Sequence, residues 1–271
     1  MSHPTLERLR HPDPAVRRAA CREAAADPAA TLLADALARA LGDPERAVAR
    51  AASDALAVIA RRDRAVLALL RRGLDDPRPA HRFAAVETLA RVDPPAAKWL
   101  PILVEALASA EGEVRWSAAR LLVAAGRLQG EVLPLLLGLV RGDERPGVRR
   151  MASFALRELA PELPAAASTL LAASRDPAVG VRRAAFTALA ALVDPPSEVA
   201  ARLADALQSE TDPIARRLAA LALGELAAGD PDRLPAPVLD ALREAGRAAD
   251  DPELRRAAGE SLERLGVGRS V

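Results

Sequence analysis

The sequence predicts an all-α fold, an array of stacked helical hairpins, from three observations. The first is a recurring phrase: an Asp-Pro pair, an aliphatic residue, two arginines and small apolar residues. Its fullest copies are Asp13-Pro14-Ala15-Val16-Arg17-Arg18-Ala19-Ala20 and Asp251-Pro252-Glu253-Leu254-Arg255-Arg256-Ala257-Ala258. With the aliphatic residue as position zero, copies fall at Val16, Val48, His81, Val114, Val148, Val181, Ala215 and Leu254, spaced by 32, 33, 33, 34, 33, 34 and 39 residues. Self-similarity at this period marks a repeat array, in which each unit buries its apolar face against its neighbours. The second observation is composition. Hydrophobic residues make up 51 % of the chain, yet it has 2 Trp, 3 Phe and no Tyr, so bulk comes from alanine, leucine and valine, which suits packed helices better than sheets. The third is periodicity. Apolar residues recur at +3, +4, +7 and +8, as in Val148, Met151, Ala152, Ala155 and Leu156, which is one face of a 3.6-residue helix.

Taken in order, the chain opens on a helical stub, Thr5 to Arg10, that reads as the second helix of an incomplete unit. Eight first helices follow, in units starting near residues 13, 43, 76, 111, 143, 176, 212 and 251 of one domain spanning 1–271. Five carry proline at −2 (Pro14, Pro79, Pro146, Pro213, Pro252), where its missing N–H costs the helix nothing. Asp13, Asp212 and Asp251 stand where an N-cap is wanted, whereas Asp43, Asp76, Asp143 and Asp176 lie two residues further back and predict a longer turn. Each second helix is aligned to end on Leu41, Leu74, Leu107, Val140, Ala173, Leu207 and Leu242. Prolines 101, 134, 235 and 237 predict kinks within these helices. A lone first helix, Pro252 to Leu265, closes the array, giving about seven helix pairs between two half-unit caps.

The pattern Asp-Pro-x-Val-Arg-Arg-x-Ala-x-x-Ala-Leu, then a turn with Asp-Pro, then a Leu-rich helix, resembles bacterial HEAT repeats over nearly the whole chain. It is particularly similar to the short units also found in phycobilisome lyases. The resemblance implies a right-handed α-solenoid, with first helices on the convex side and second helices lining a concave groove. It also implies scaffolding or partner binding more often than catalysis.

Two arginine columns run along the first helices. Position +1 is arginine in every copy but the second, where it is Ala49, and it flanks the buried stripe. A guanidinium there reaches the aspartate or backbone carbonyls of a neighbouring turn, so this column reads as a ladder that fixes stacking. Position +2 holds Arg18, Arg50, Arg150, Arg183, Arg217 and Arg256, with Phe83 and Trp116 in the other two copies. It points to solvent, and with Trp116 it offers a basic ridge for a nucleic-acid backbone. The net charge of only +1 argues for a local patch and against a global field.

Two residues before each second-helix end stand Arg39, Arg72, Glu105, Gly138, Leu171, Asp205 and Asp240, a column running from basic through apolar to acidic. The helix Val132–Val140 is apolar almost all round, so Leu135 and Leu139 are expected to be exposed. A partner-binding groove is therefore placed at Trp99, Ile102, Leu135 and Leu139, with Arg72 and Glu105 at its rim.

No catalytic residues, metal site or cofactor are expected. There is no His-Glu-x-x-His, Cys-x-x-Cys or phosphate loop, and the histidines are His3, His11 and His81, the last reading as a partly buried helix residue. Cys21, the lone cysteine, reads as an outward-leaning helix residue. The start lacks a basic stretch followed by an apolar core, and no run is long enough to span a bilayer. The chain thus reads as a cytoplasmic, non-catalytic scaffold or adaptor binding a protein or peptide in its groove. The alternative is nucleic-acid backbone binding through the ridge, and a third reading is a bilin-lyase-like accessory protein.

Overall fold

A computed structural model describes residues 3–228, 230–248 and 250–267. They form sixteen α-helices, and no strand occurs among the described residues. The chain divides into two compact units, Met1–Leu128 and Gln129–Val271. The first unit holds α1 (Pro4–Arg8), α2 (Pro14–Ala24), α3 (Ala30–Ala40), α4 (Arg46–Arg62), α5 (Ala65–Arg72), α6 (Pro79–Leu89), α7 (Leu100–Ala106) and α8 (Gly112–Gly126). The second holds α9 (Val132–Gly142), α10 (Pro146–Leu159), α11 (Pro164–Ala173), α12 (Val179–Leu189), α13 (Ser197–Ser209), α14 (Pro213–Leu226), α15 (Ala236–Ala245) and α16 (Pro252–Arg264). Seven pairs, α2/α3 to α14/α15, thus lie between a lone second helix and a lone first helix. The division falls in the turn of the fourth pair.

Within each unit, like packs on like. First helices stack α2 on α4 on α6 and α10 on α12 on α14 on α16; second helices stack α3 on α5 and α9 on α11 on α13 on α15. Every predicted second-helix end is buried, from Leu41 to Leu242, and anchors its hairpin to the helix beside it. In the second unit Phe186, Leu203 and Leu223 belong to one continuous core. Burying one such side chain contributes about 1.5–3 kcal/mol.

Helix starts follow the sequence closely. The carboxylates of Asp13, Asp212 and Asp251 accept from the N–H groups of Ala15, Ala215 and Leu254. Asp43, Asp76, Asp143 and Asp176 instead accept from Glu45, Arg78, Arg145 and Ala178, the N–H two residues on, which builds the longer turn.

Three expectations are corrected. Pro101, Pro134 and Pro237 lie in the first turn of α7, α9 and α15, and Pro235 is the N-cap of α15. None kinks a helix, because a first-turn residue has no intrahelical N–H bond to lose. Cys21 is fully buried, since α2 is covered on this flank by the second repeat, and burial pushes its thiol up to about 11. His81 is also buried, its Nδ1 2.9 Å from the Arg78 guanidinium. The slot exists because Gly42 has no side chain: a Cβ there would lie 2.9 Å from that same nitrogen.

Candidate functional site

The +1 arginines are built into the turns. Arg17, Arg149 and Arg182 each grip the carboxylate of the next repeat's turn with two hydrogen bonds, to Asp43 (2.7 and 3.0 Å), Asp176 (2.7 and 2.9 Å) and Glu210 (2.7 and 2.8 Å). Each also donates to the two carbonyls that open its own turn, His11 and Pro12, Asp143 and Glu144, and Asp176 and Pro177. The same carboxylates hold the N–H of the residue two further on, so one group closes a turn and joins two repeats.

The ladder breaks in the middle of the chain. Asp76 faces Ala49 in the preceding repeat and is held by Arg78 of its own turn, at 2.9 Å. In the next turn Ser109 stands at the sequence position of the carboxylate, and Arg82 pairs instead with Glu105 at 2.6 Å. The Asp76 carboxyl is held well below its usual range, mainly by its hydrogen bonds to Arg78, and that of Glu210 is lowered, mainly by Arg182.

The +2 ridge is largely neutralised. Arg183 lies 2.6 Å from Asp212, Arg217 3.2 Å from Glu253, Arg256 2.9 Å from Glu260 and Arg50 3.6 Å from Glu113. Arg150 is half-buried and Arg18 exposed. Phe83 is buried, whereas Trp116 on α8 is 47 % exposed.

The predicted groove residues are divided between the two units, Trp99, Ile102, Arg72 and Glu105 in the first and Leu135 and Leu139 in the second. Trp99 and Ile102 are 3 % and 7 % exposed, inside the first unit's core, so neither presents its side chain to a partner. The 3-10 turn Ala97–Trp99 and the first turn of α7 point them inward, an orientation that side-chain type does not announce. Leu135 and Leu139 belong to the second unit and are half-buried, because α9 turns Val132, Leu136 and Val140 into its core. Arg72 is exposed, and Glu105 is exposed while paired with Arg82. The column itself does reach solvent: Arg39, Arg72 and Glu105 in the first unit, and Gly138, Asp205 and Asp240 in the second, are all exposed, with Leu171 half-buried. On α3, Leu32 (75 % exposed), Asp35 and Arg39 share one open face.

Two further sites escape the sequence reading. Arg202 on α13 is 7 % exposed; its guanidinium donates to the hydroxyl and carbonyl of Ser174 at 2.9 and 2.7 Å and lies 5.3 Å over the Phe186 ring. The other is a cleft of about 420 Å³ in the first unit, lined by Arg18 and Arg22 of α2 and Arg46, Ala47, Arg50, Ala51 and Asp54 of α4, with Glu113 of α8 at its edge. Arg46 stands at the −2 position where five copies have proline, a departure that marks the spot in retrospect. Among the described residues no group of three or more His, Cys, Asp or Glu is placed to hold a metal, and no helix is long and apolar enough to cross a membrane.

The family model for HEAT repeats matches residues 33–100, 100–190 and 169–263. None of the curated proteins matches the chain in sequence. Among solved structures, the chain is similar to the karyopherin Kap121p bound to the extreme C-terminus of the protein phosphatase Cdc14p (TM-score 0.68, 13 % identity, 96 % of this chain and 33 % of that one). It is also similar to Kap95p in a structure with RanGDP (TM-score 0.66, 16 % identity, 96 % and 40 %). A third likeness is to the CpcE–CpcF complex of phycocyanin lyase from Nostoc sp. PCC7120 (TM-score 0.51, 22 % identity, 61 % and 99 %). This chain therefore spans 33–40 % of those karyopherins' length, and at these identities the likeness is one of fold. With repeat matches running from residue 33 to residue 263 and the hairpins where the repeat period puts them, the chain belongs to the HEAT-repeat family.

Proposed function

We propose that the chain is a non-catalytic scaffold that binds a segment of a protein partner along its second helices. The observation that carries this reading is the exposed column. Every packed helix keeps one wet face, and what is particular here is the charge at one exposed register of the second helices: Arg39, Arg72 and Glu105 in the first unit, Gly138, Asp205 and Asp240 in the second. Within the first unit the charge changes from Arg39 and Arg72 to Glu105, and such a change orients a bound segment as well as attracts it; Asp205 and Asp240 give the second unit an acidic register of its own. Leu32 adds open apolar area beside Arg39. Proteins of like fold give support, since Kap121p holds the end of Cdc14p and CpcE is found with CpcF. A cytoplasmic site of action accords with a lone, buried cysteine.

The ridge supports the nucleic-acid reading less well, because four of its arginines already face carboxylates. The test is a pull-down from native cells with the wild-type chain and an Arg39→Glu, Arg72→Glu, Asp205→Lys, Asp240→Lys variant. A protein retained by the first and lost by the second supports the column; identical protein sets, or retention of nucleic acid alone, refute it.

A further inference from the structure

The cleft of the first unit has a feature that a solvated helix face lacks: part of it is already occupied by the chain's own acidic segment. Arg46 lies 3.2 Å from Glu111 and 2.8 Å from Glu113, and Arg50 lies 3.6 Å from Glu113. Glu111-Gly112-Glu113 opens α8, two repeats beyond α4. Packed helices sit about 8–10 Å apart, so on a flat or outward-bowed face the starts of α4 and α8 would be separated by about 16–20 Å or more. That exceeds the combined reach of an arginine and a glutamate side chain, so the first-helix face of this unit is drawn inward here, forming the cleft.

Across from Arg46 and Arg50, Arg18 and Arg22 stand four residues apart on α2, both exposed. Neither joins an ion pair among the described residues. The cleft thus has two arginine pairs, one holding carboxylates and one open, above a floor of Ala47 and Ala51. Planar guanidiniums in pairs suit carboxylates through bidentate hydrogen bonds. At about 420 Å³ the space is that of a small-ligand pocket and takes a few side chains, not a folded element. The groups already held there, Glu111 and Glu113, are carboxylates on a short stretch of chain, so the ligand most like the present occupant is a short acidic peptide that exchanges with them one carboxylate for another.

We propose that this cleft binds an acidic segment of a protein partner, with Glu111 and Glu113 as the internal ligand that the segment displaces. The inference rests on the partner-binding reading only in taking the ligand to be a protein. It uses first-helix residues, so its failure leaves the second-helix column untouched, and the reverse also holds.

The test is fluorescence anisotropy of a labelled hexaglutamate peptide titrated with the full chain at low salt. Hexaglutamate binds and hexalysine does not. Arg18→Glu with Arg22→Glu raises Kd about tenfold or more, because attraction becomes like-charge repulsion. Glu113→Gln tightens binding about two- to fivefold, the scale of one exposed competing ion pair. Circular dichroism checks that all variants keep the helical content of the wild type. Absence of hexaglutamate binding, or binding that both variants leave unchanged, overturns the proposal. So does a single-stranded oligonucleotide of equal charge that binds more tightly with the same arginine dependence.

Discussion

Replacing Arg149 by alanine removes one full rung of the ladder. Arg149 and Asp176 have side chains 13 % and 9 % exposed, so the pair lies between a surface ion pair and a buried one. Exposed pairs contribute about 0–1 kcal/mol, and breaking a buried pair costs about 3–5 kcal/mol. The variant also strips the Asp143 and Glu144 carbonyls of their charged donor, at 2.7 and 3.2 Å. Part of the loss is offset, because the Ala178 N–H still serves Asp176 at 2.8 Å. A loss of about 2–3 kcal/mol follows, an intermediate value on the two scales above. For a body of this size that lowers Tm by about 5–10 °C. Thermal unfolding by far-ultraviolet circular dichroism measures it, with Arg157→Ala as control, since Arg157 meets Glu158 only at 3.7 Å on the surface. If Arg149→Ala shifts Tm no more than the control, the arginines do not hold the repeats together and the ladder argument fails.

Other outcomes follow from the same groups. The hydrogen bonds of Arg183, working against burial, pull the Asp212 carboxyl down to about 2. The stability it lends is present above the unfolded carboxyl value of about 3.9 and is lost as pH falls through the folded one, so Arg183→Gln flattens the acid decline between about pH 4 and 2. Burial lowers the His81 imidazole below its ordinary value, against the pull of Asp76. A base so shifted favours unfolding once pH drops below its unfolded value of about 6.5, so Tm falls as pH is lowered past that point in the wild type and less in His81→Val. Cys21, buried with its thiol at about 11, stays unreactive to Ellman's reagent in the native chain and reacts on unfolding; fast native labelling contradicts its placement.

What was legible in the sequence is what local chemistry decides. Proline at −2 and the Asp13, Asp212 and Asp251 caps act within one turn, and they start α2, α14 and α16 where expected. The +1 ladder was legible too, because its partners recur at a fixed offset one period away. Exposure was not. By type Trp99 and Ile102 fit a groove, because a large apolar side chain suits a core and an interface equally, and only the neighbouring helix decides which. Cys21 failed for the same reason. The cleft was out of reach because Arg46 meets Glu111 across 65 residues, about two repeat periods, whereas helix stacking leads one to expect contacts between adjacent repeats.

Site-specific photocrosslinking in the native cell shows whether a partner lies along the second helices. A crosslinking residue at position 72 or 205 is predicted to capture a protein, while one at position 150 or 217, on the first helices, captures none. Crosslinks from positions 150 and 217 with silence at 72 and 205 would contradict that placement.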